Sequence, residues 1–352
     1  MSLPVGSLIN KLNSIDLDGL ILSNSFNISY LAGRKCRDSY LLVSQKKNIY
    51  FTDSRYTLEA RKFLKEFEVM EINGSFFKVI GSACRSLGLR KLGFEERHMP
   101  FAEHGKIQKE LGRSCKLIPT HSLVEELRQV KTVFEIAKIR KATEITSSAL
   151  EYIKTRLHPG LKELEVVGEL ERFLRYNDAN GTAFDIIVAS GSNSSFPHHI
   201  SSQRKIRKDE PVLIDIGADF QGYKSDLTRV FFMGKITPLF KKIYDIVLQA
   251  NKLAIAKIKP AILSKEIDAS ARDFIADNGY GGFFSHSLGH GVGLEVHEDP
   301  HISRRSQDFL REGMLFTVEP AIYLPGKFGV RIEDLVLVKS KGAEVLSGTL
   351  NK

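Results

Sequence analysis

VLIDIGADFQGYKSDLTRVFF (212–232) places two aspartates, Asp215 and Asp226, inside apolar runs on either side of a turn containing Gly222. The two lie eleven residues apart, a hairpin spacing that can bring carboxylates together across neighbouring strands. A buried carboxylate without compensation costs several kcal/mol, so it is paired, protonated or bound to a cation. Two facing carboxylates repel, and one pKa must climb unless positive charge is supplied. Taken singly, each aspartate reads equally well as a cap at a hairpin end.

Three later stretches repeat the pattern of a ligating side chain in a strand-like run. SHSLGHGVGLEVHE (285–298) holds His286, His290 and His297 among glycines. His286 and His290 are four apart, but Ser287 stands where a helical zinc motif needs Glu, and Gly289, Gly291 and Gly293 disfavour a helix. Those glycines suit close backbone approach in a strand or turn beside a site. MLFTVEPAIY (314–323) carries Glu319, and GVRIEDLVLV (329–338) carries Glu333 two residues after Arg331. Each glutamate alone reads as an ion-pair partner. The ordered set Asp, Asp, His, Glu, Glu reads as a binuclear site for hard divalent cations.

At 352 residues the chain has length for two domains, and 42% apolar with 26% charged residues is ordinary for a globular protein. No apolar run approaches the roughly 20 residues of a membrane helix, and the first residues lack the pattern of a signal peptide. The three cysteines, Cys36, Cys84 and Cys115, form neither a disulfide framework nor a metal-type spacing, so a cytoplasmic location is expected. The net charge of +9 is spread over the chain apart from short clusters such as RKIRK (204–208), which argues against nucleic acid as a partner.

In the N-terminal third, 18–23, 39–44, 48–53 and 91–96 read as strands, and 55–67 and 76–88 as amphipathic helices. This alternation predicts a small α/β domain over 1–122, with Pro119 and the residues after it marking the boundary. A second domain, carrying the five ligating residues, is expected over 123–352. It opens with a helix over 124–157 whose apolar face includes Val133, Ile136, Ala137 and Ile139. A second helix over 161–176 places Leu164, Val167, Leu170 and Leu174 at helical spacing, and two more are expected over 239–259 and 264–279.

The five-residue pattern resembles the pita-bread metallopeptidases: aminopeptidase P, prolidase and methionine aminopeptidase. NISYLAG (27–33) and YFTDSRYTLEA (50–60) resemble the creatinase-type domain that precedes the catalytic domain in the first two, which argues against the third. The resemblance implies an α/β N-terminal domain followed by an α+β pita-bread domain, with a curved antiparallel sheet inside and helices outside. It implies two divalent ions, with Mn(II) favoured by oxygen-rich ligation and Co(II) or Zn(II) as substitutes. Asp215 would bind one ion, His290 and Glu319 the other, and Asp226 and Glu333 would bridge both. Glu319 would also accept the proton of the attacking water, and His297 would help stabilise the oxyanion. His198, in FPHHIS (196–201), and His286 and His297 match the family's substrate-contacting histidines, and Arg331 matches an arginine supporting a bridging carboxylate. His199 is the less suited of the pair at 198–199.

Many relatives carry an arginine four residues after the position of His297, suited to gripping a substrate carboxylate. Here that position is His301, with Arg304 and Arg305 nearby. The expected activity is therefore release of the residue before proline from longer peptides, as an Xaa-Pro aminopeptidase. The alternatives are an Xaa-Pro dipeptidase (prolidase) and, more distantly, a non-catalytic relative binding RNA or protein. The resemblance also implies a homodimer.

Overall fold

The computed structural model describes residues 3–348, 350 and 352. The chain divides after Arg128 into two compact units.

The first unit carries strands β1 (Gly19–Leu22), β2 (Ser39–Ser44), β3 (Ile49–Thr52), β4 (Glu68–Glu71), β5 (Lys91–Glu95) and β6 (Lys116–Thr120) in one mixed sheet of order β4-β3-β2-β1-β5-β6. Helices α1 (Leu3–Ser14), α2 (Ser25–Ala32), α3 (Ser54–Phe63), α4 (Phe76–Ser86) and α5 (Phe101–Leu111) accompany it. Successive strand residues point to opposite faces, and both faces are covered. Ile21, Leu42 and Phe51 join Ile80 and Ile107 in one core, while Leu20, Leu22 and Leu41 join Leu8 and Ile28 in another. All four stretches expected as strands are strands. Pro119 lies within β6, an edge strand where a missing N–H is tolerated.

The helix expected over 124–157 is interrupted. After α6 (Glu125–Gln129), α7 (Val133–Lys154) starts afresh at Thr132. The Glu135 N–H donates to the Thr132 hydroxyl, and the Thr132 N–H donates to the Glu135 carboxylate at 2.8 Å. This start leaves Val133 80% exposed, so the buried face runs through Ile139, Ala142, Leu150 and Ile153 rather than through Val133 and Ala137. In α8 (Glu163–Tyr176) the buried stripe is also turned by one residue from the expected one. Val166, Leu170 and Leu174 are buried, Leu164 is 42% exposed, and the charged Glu163 is fully buried.

Among the described residues, the remaining elements of the second unit are α9 (Pro238–Lys257), α10 (Ser264–Asp277), two short 3-10 helices (Gly191–Ser195 and Gly281–Phe283) and thirteen strands. The strands are β7 (Gly181–Thr182), β8 (Ile187–Ser190), β9 (Pro211–Ile216), β10 (Ala218–Phe220), β11 (Tyr223–Lys224), β12 (Leu227–Phe232), β13 (Gly289–Gly291), β14 (Glu298–Ile302), β15 (Leu315–Val318), β16 (Ala321–Leu324), β17 (Phe328–Arg331), β18 (Asp334–Lys339) and β19 (Gly342–Val345). They form sheets of order β11-β10-β7, β12-β9-β8, β14-β13-β15-β18-β19 and β16-β17, and every described strand pair of this unit is antiparallel. Its core joins Ile243 and Val247 of α9 and Ala271 of α10 to Phe316, Ile322 and Val336 of the strands.

Candidate active site

Five strand ends bring the acidic residues and His290 together. In the β9–β12 pair Thr228 lies opposite Asp215, and Asp226 immediately precedes β12. Glu333 lies between β17 and β18, with its N–H donating to the Thr228 carbonyl at 3.2 Å. Glu319 follows β15, with its N–H donating to the Leu288 carbonyl at 2.8 Å just before the strand of His290. Ligating atoms of Asp226, His290 and Glu333 all lie within 4.8 Å of one another. His290 Nε2 is also 3.4 Å from Glu319 Oε1, and the charge of Asp215 acts on Asp226, Glu319 and Glu333.

The electrostatics of this cluster call for cations. Burial raises the Asp226 pKa well above its ordinary value, and the charges of Glu333, Asp215 and Glu319 raise it further. Glu333 is raised by burial and by Glu319 and Asp215, and Glu319 is pushed up to about 8 by burial with Asp215 adding to it. Burial drives the His290 pKa down to about 4, which keeps the ring neutral. Its Nδ1 contacts the Gly291 carbonyl at 3.1 Å, leaving Nε2 towards the carboxylates. Asp215 Oδ2 accepts from Arg331 Nη2 at 2.7 Å, whereas Asp215 Oδ1 is buried without a hydrogen-bond partner. An orphaned buried carboxylate oxygen beside carboxylates forced towards protonation, with one neutral imidazole, is a donor set that fits hard divalent cations.

His286 and His290 do not share a helix; β13 is extended, and its glycines allow close packing. A Cβ on Gly289 would overlap the Thr317 carbonyl oxygen, and one on Gly291 would overlap the Asp299 carbonyl oxygen. Gly289→Ala is expected to cost about 1–3 kcal/mol of stability by overpacking and to displace His290. Urea unfolding checks it, and an unchanged midpoint with unchanged metal affinity would remove the close-approach argument.

The three further histidines border the cluster. The His290 and His297 ring centroids are 4.2 Å apart, and His297, whose side chain reaches solvent, has its pKa lowered by desolvation and by the charge of His198. His286 Nδ1 lies 3.8 Å from Glu319 Oε2, and its pKa falls to about 4 through burial and the charge of Arg331. His198 is exposed and near enough to influence both His286 and His297. Arg331 differs from expectation in its direct partner. It pairs with Asp215, its charge also acts on Glu333, and it is linked to Glu333 through Thr228, whose hydroxyl accepts from Arg331 Nε at 3.0 Å and donates to Glu333 Oε2 at 2.6 Å.

The site also uses residues outside the expected set. Among them are Thr228, Thr317, whose hydroxyl accepts from the His290 N–H at 3.1 Å, and Tyr323, whose hydroxyl accepts from Arg331 Nη1 at 2.6 Å and contacts His286 Nε2 at 3.1 Å. A tyrosine in the apolar run AIYL was the available signal, since a buried phenol needs a partner.

Residues 137–340 match metallopeptidase family M24, and residues 5–130 match the creatinase/prolidase N-terminal domain. The chain belongs to metallopeptidase family M24. An Xaa-Pro dipeptidase of Pyrococcus horikoshii is 35% identical over 99% of this chain and 98% of its own length. The solved structure of an Xaa-Pro dipeptidase from Bacillus anthracis is 38% identical, with a TM-score of 0.95 over 98% of this chain and 96% of that one. That of an X-Pro aminopeptidase from Thermotoga maritima is 37% identical, with a TM-score of 0.89 over 96% of this chain and 97% of that one. This metallopeptidase therefore has the creatinase-type domain followed by the pita-bread catalytic domain, and it is a peptidase of a family that uses divalent metals. No helix among the described residues is long and apolar enough to cross a membrane.

Proposed function

We propose that this metallopeptidase is an Xaa-Pro dipeptidase, hydrolysing the bond between an N-terminal residue and a C-terminal proline. The observation that carries the peptidase chemistry is the convergence of Asp226, His290 and Glu333 within 4.8 Å, beside Asp215 and Glu319. The substrate class draws on the Xaa-Pro dipeptidases that match nearly the whole chain. These relatives outweigh the argument from His301, which favoured an Xaa-Pro aminopeptidase.

In this reading Asp215, Asp226, His290, Glu319 and Glu333 hold two divalent ions, with Mn(II) the preferred metal and Co(II) or Zn(II) as substitutes. When bound, such a pair supplies Lewis acidity and lowers the pKa of water at the site to near neutrality. Glu319 takes the proton of the attacking water and passes it towards the leaving imide nitrogen of proline. His297 donates to the carbonyl oxygen as it gains charge. His198 and His286 bind the substrate, with His198 reaching beyond the scissile bond. Arg331 holds Asp215 and, with Tyr323, orients His286. A cytoplasmic homodimer accompanies this reading, and sedimentation of the full chain tests the oligomer.

A second reading, Xaa-Pro aminopeptidase, retains a specific basis. His301 is 63% exposed in its side chain and offers no guanidinium fork for a dipeptide carboxylate, and the Thermotoga maritima structure is named for that activity. Hydrolysis of an Xaa-Pro dipeptide is compared with that of an Xaa-Pro-Xaa tripeptide by the Mn(II)-loaded protein. A kcat/KM for the dipeptide at least about tenfold higher is expected, since a recognised carboxylate contributes a charge-assisted contact of that order. Preference for the tripeptide would replace the dipeptidase reading by the aminopeptidase one.

A further inference from the structure

The fully buried Glu163 has no place in the chemistry above, and each of its carboxylate oxygens is surrounded by donors from a single segment. Oε1 accepts from the Ser190 N–H and hydroxyl, both at 2.8 Å, and from Asn193 Nδ2 at 3.0 Å. Oε2 accepts from His199 Nε2 at 2.9 Å, the Ser202 N–H at 3.0 Å and the Ser202 hydroxyl at 2.7 Å. These partners are the two ends and the middle of 190–202, the segment that carries His198. Although burial pushes the Glu163 pKa up, the bonds from His199, Ser190 and Ser202 bring it below its ordinary value, so the carboxylate is ionised at neutral pH.

The same segment is tied to the metal-site side at two other points. The Gly329 N–H donates to the Ser194 hydroxyl at 2.9 Å, and Arg331 Nη1 donates to the Pro197 carbonyl at 3.2 Å. Arg331 is also the partner of Asp215, so Pro197 is held by a side chain fixed to the cluster. His199 is turned inward to Glu163, while the adjacent His198 stays exposed and within electrostatic reach of His286 and His297. Two neighbouring imidazoles thus have separate tasks.

We propose that Glu163 is a positioning residue that, by gripping Ser190, Asn193, His199 and Ser202, sets the conformation of the 190–202 segment and so the placement of His198 against the substrate. The grip is a matter of this chain's geometry, whereas its effect on turnover rests on the Xaa-Pro reading. An isosteric Gln at 163 replaces one acceptor oxygen with an NH2 that faces three donors, which breaks half of the grip without changing volume. Small misplacement of a substrate-contacting group is costly, by up to about a hundredfold for a shift of roughly 1 Å.

The test uses the full-length, Mn(II)-loaded protein with Glu163→Gln, His199→Gln and His199→Leu. Glu163→Gln is expected to keep its metal content while kcat/KM for an Xaa-Pro dipeptide falls by about tenfold or more, with the rise in KM larger than the fall in kcat. His199→Gln, whose amide can donate to Oε2, is expected to stay within about threefold of wild type, and His199→Leu to fall about tenfold. Hydrogen exchange, read independently of activity, should show faster exchange over 190–202 in Glu163→Gln with β9 (211–216) unchanged. Unchanged exchange over 190–202, or wild-type kcat/KM in Glu163→Gln, overturns the proposal. So does an equal loss in both His199 variants, which would make the imidazole itself part of the chemistry. Loss of protection throughout β9 also overturns it, since Glu163 would then be a general stabiliser. If the wild-type protein cleaves no Xaa-Pro peptide, the proposed function fails, and the exchange result still decides the grip.

Discussion

Mn(II)-loaded Glu319→Gln is expected to bind metal and peptide and yet to turn over less than about one-hundredth as fast as wild type, since a positioned general base contributes about 10²–10⁴-fold. Glu319 is suited to the task by location and by proton affinity. Its Oε1 accepts from the Thr317 hydroxyl at 3.1 Å and lies 3.4 Å from His290 Nε2, which fixes the side chain at the edge of the cluster. Burial and the neighbouring Asp215 push its pKa up to about 8, so in the metal-free protein this carboxylate holds a proton readily at neutral pH. Gln keeps the shape and one oxygen that can still face a cation, but it cannot take up a proton. Steady-state turnover at saturating Xaa-Pro dipeptide, with metal content measured on the same sample, separates the two roles. Near wild-type turnover at full metal occupancy would remove Glu319 as the base. A loss of metal matching the loss of turnover would make it a holder of the ion alone.

How much of this was legible in the sequence depends on whether a residue's partner lies nearby along the chain. Asp215 and Asp226 are joined by a hairpin, and their apolar flanks make legible the strands that pair as β9 and β12. The glycines at 289 and 291 announced close approach because nothing else explains three histidines in so flexible a run. Thr228 carries no local signal because it reaches Glu333 across 105 positions, whereas Tyr323 lies only eight positions from Arg331 and its buried phenol is the clue, although its contact with His286 spans 37 positions. The buried stripe of α8 departs from helical spacing at its first turn for a related reason. Helical spacing alone places Leu164 inside and Glu163 outside, and only the donors of the 190–202 segment reverse the order. The capping box at Thr132 and Glu135, in contrast, was present as a T-x-x-E signature, and it would have cut the long helix where α7 begins. The substrate preference hung on the single position of His301, whereas the relatives match along the entire chain.

Stripping the metal is expected to abolish hydrolysis and to lower the melting temperature by on the order of 10 °C relative to protein at saturating Mn(II), a free concentration about a thousandfold above Kd contributing about 4 kcal/mol per site. The gap should also widen as pH rises from 6.5 to 8, and the sign follows from the buried groups. Glu319 has a folded pKa raised from 4.5 to about 8, so the unfolded chain releases this proton first and the stripped fold loses stability as pH climbs through that window. Asp226 and Glu333, raised by burial and by their neighbours' charges, act in the same direction. His286 and His290 act oppositely, with folded pKa values lowered from 6.5 to about 4; their contribution grows between those values and is complete above 6.5. Above 6.5, then, among these groups only the buried carboxylates still change, through their burial and their mutual repulsion, and bound cations neutralise them. Asp226→Asn deletes one of the repelling charges, so it should raise the melting temperature of stripped protein at pH 8 while losing most of the increase that Mn(II) gives wild type. Thermal unfolding of both proteins at pH 6.5 and 8, with chelator and with Mn(II), measures all of these differences. A stripped wild type as stable at pH 8 as at pH 6.5, together with an Asp226→Asn variant that gains as much from Mn(II), would mean that these carboxylates are not raised by burial and by one another and are not joined by a metal.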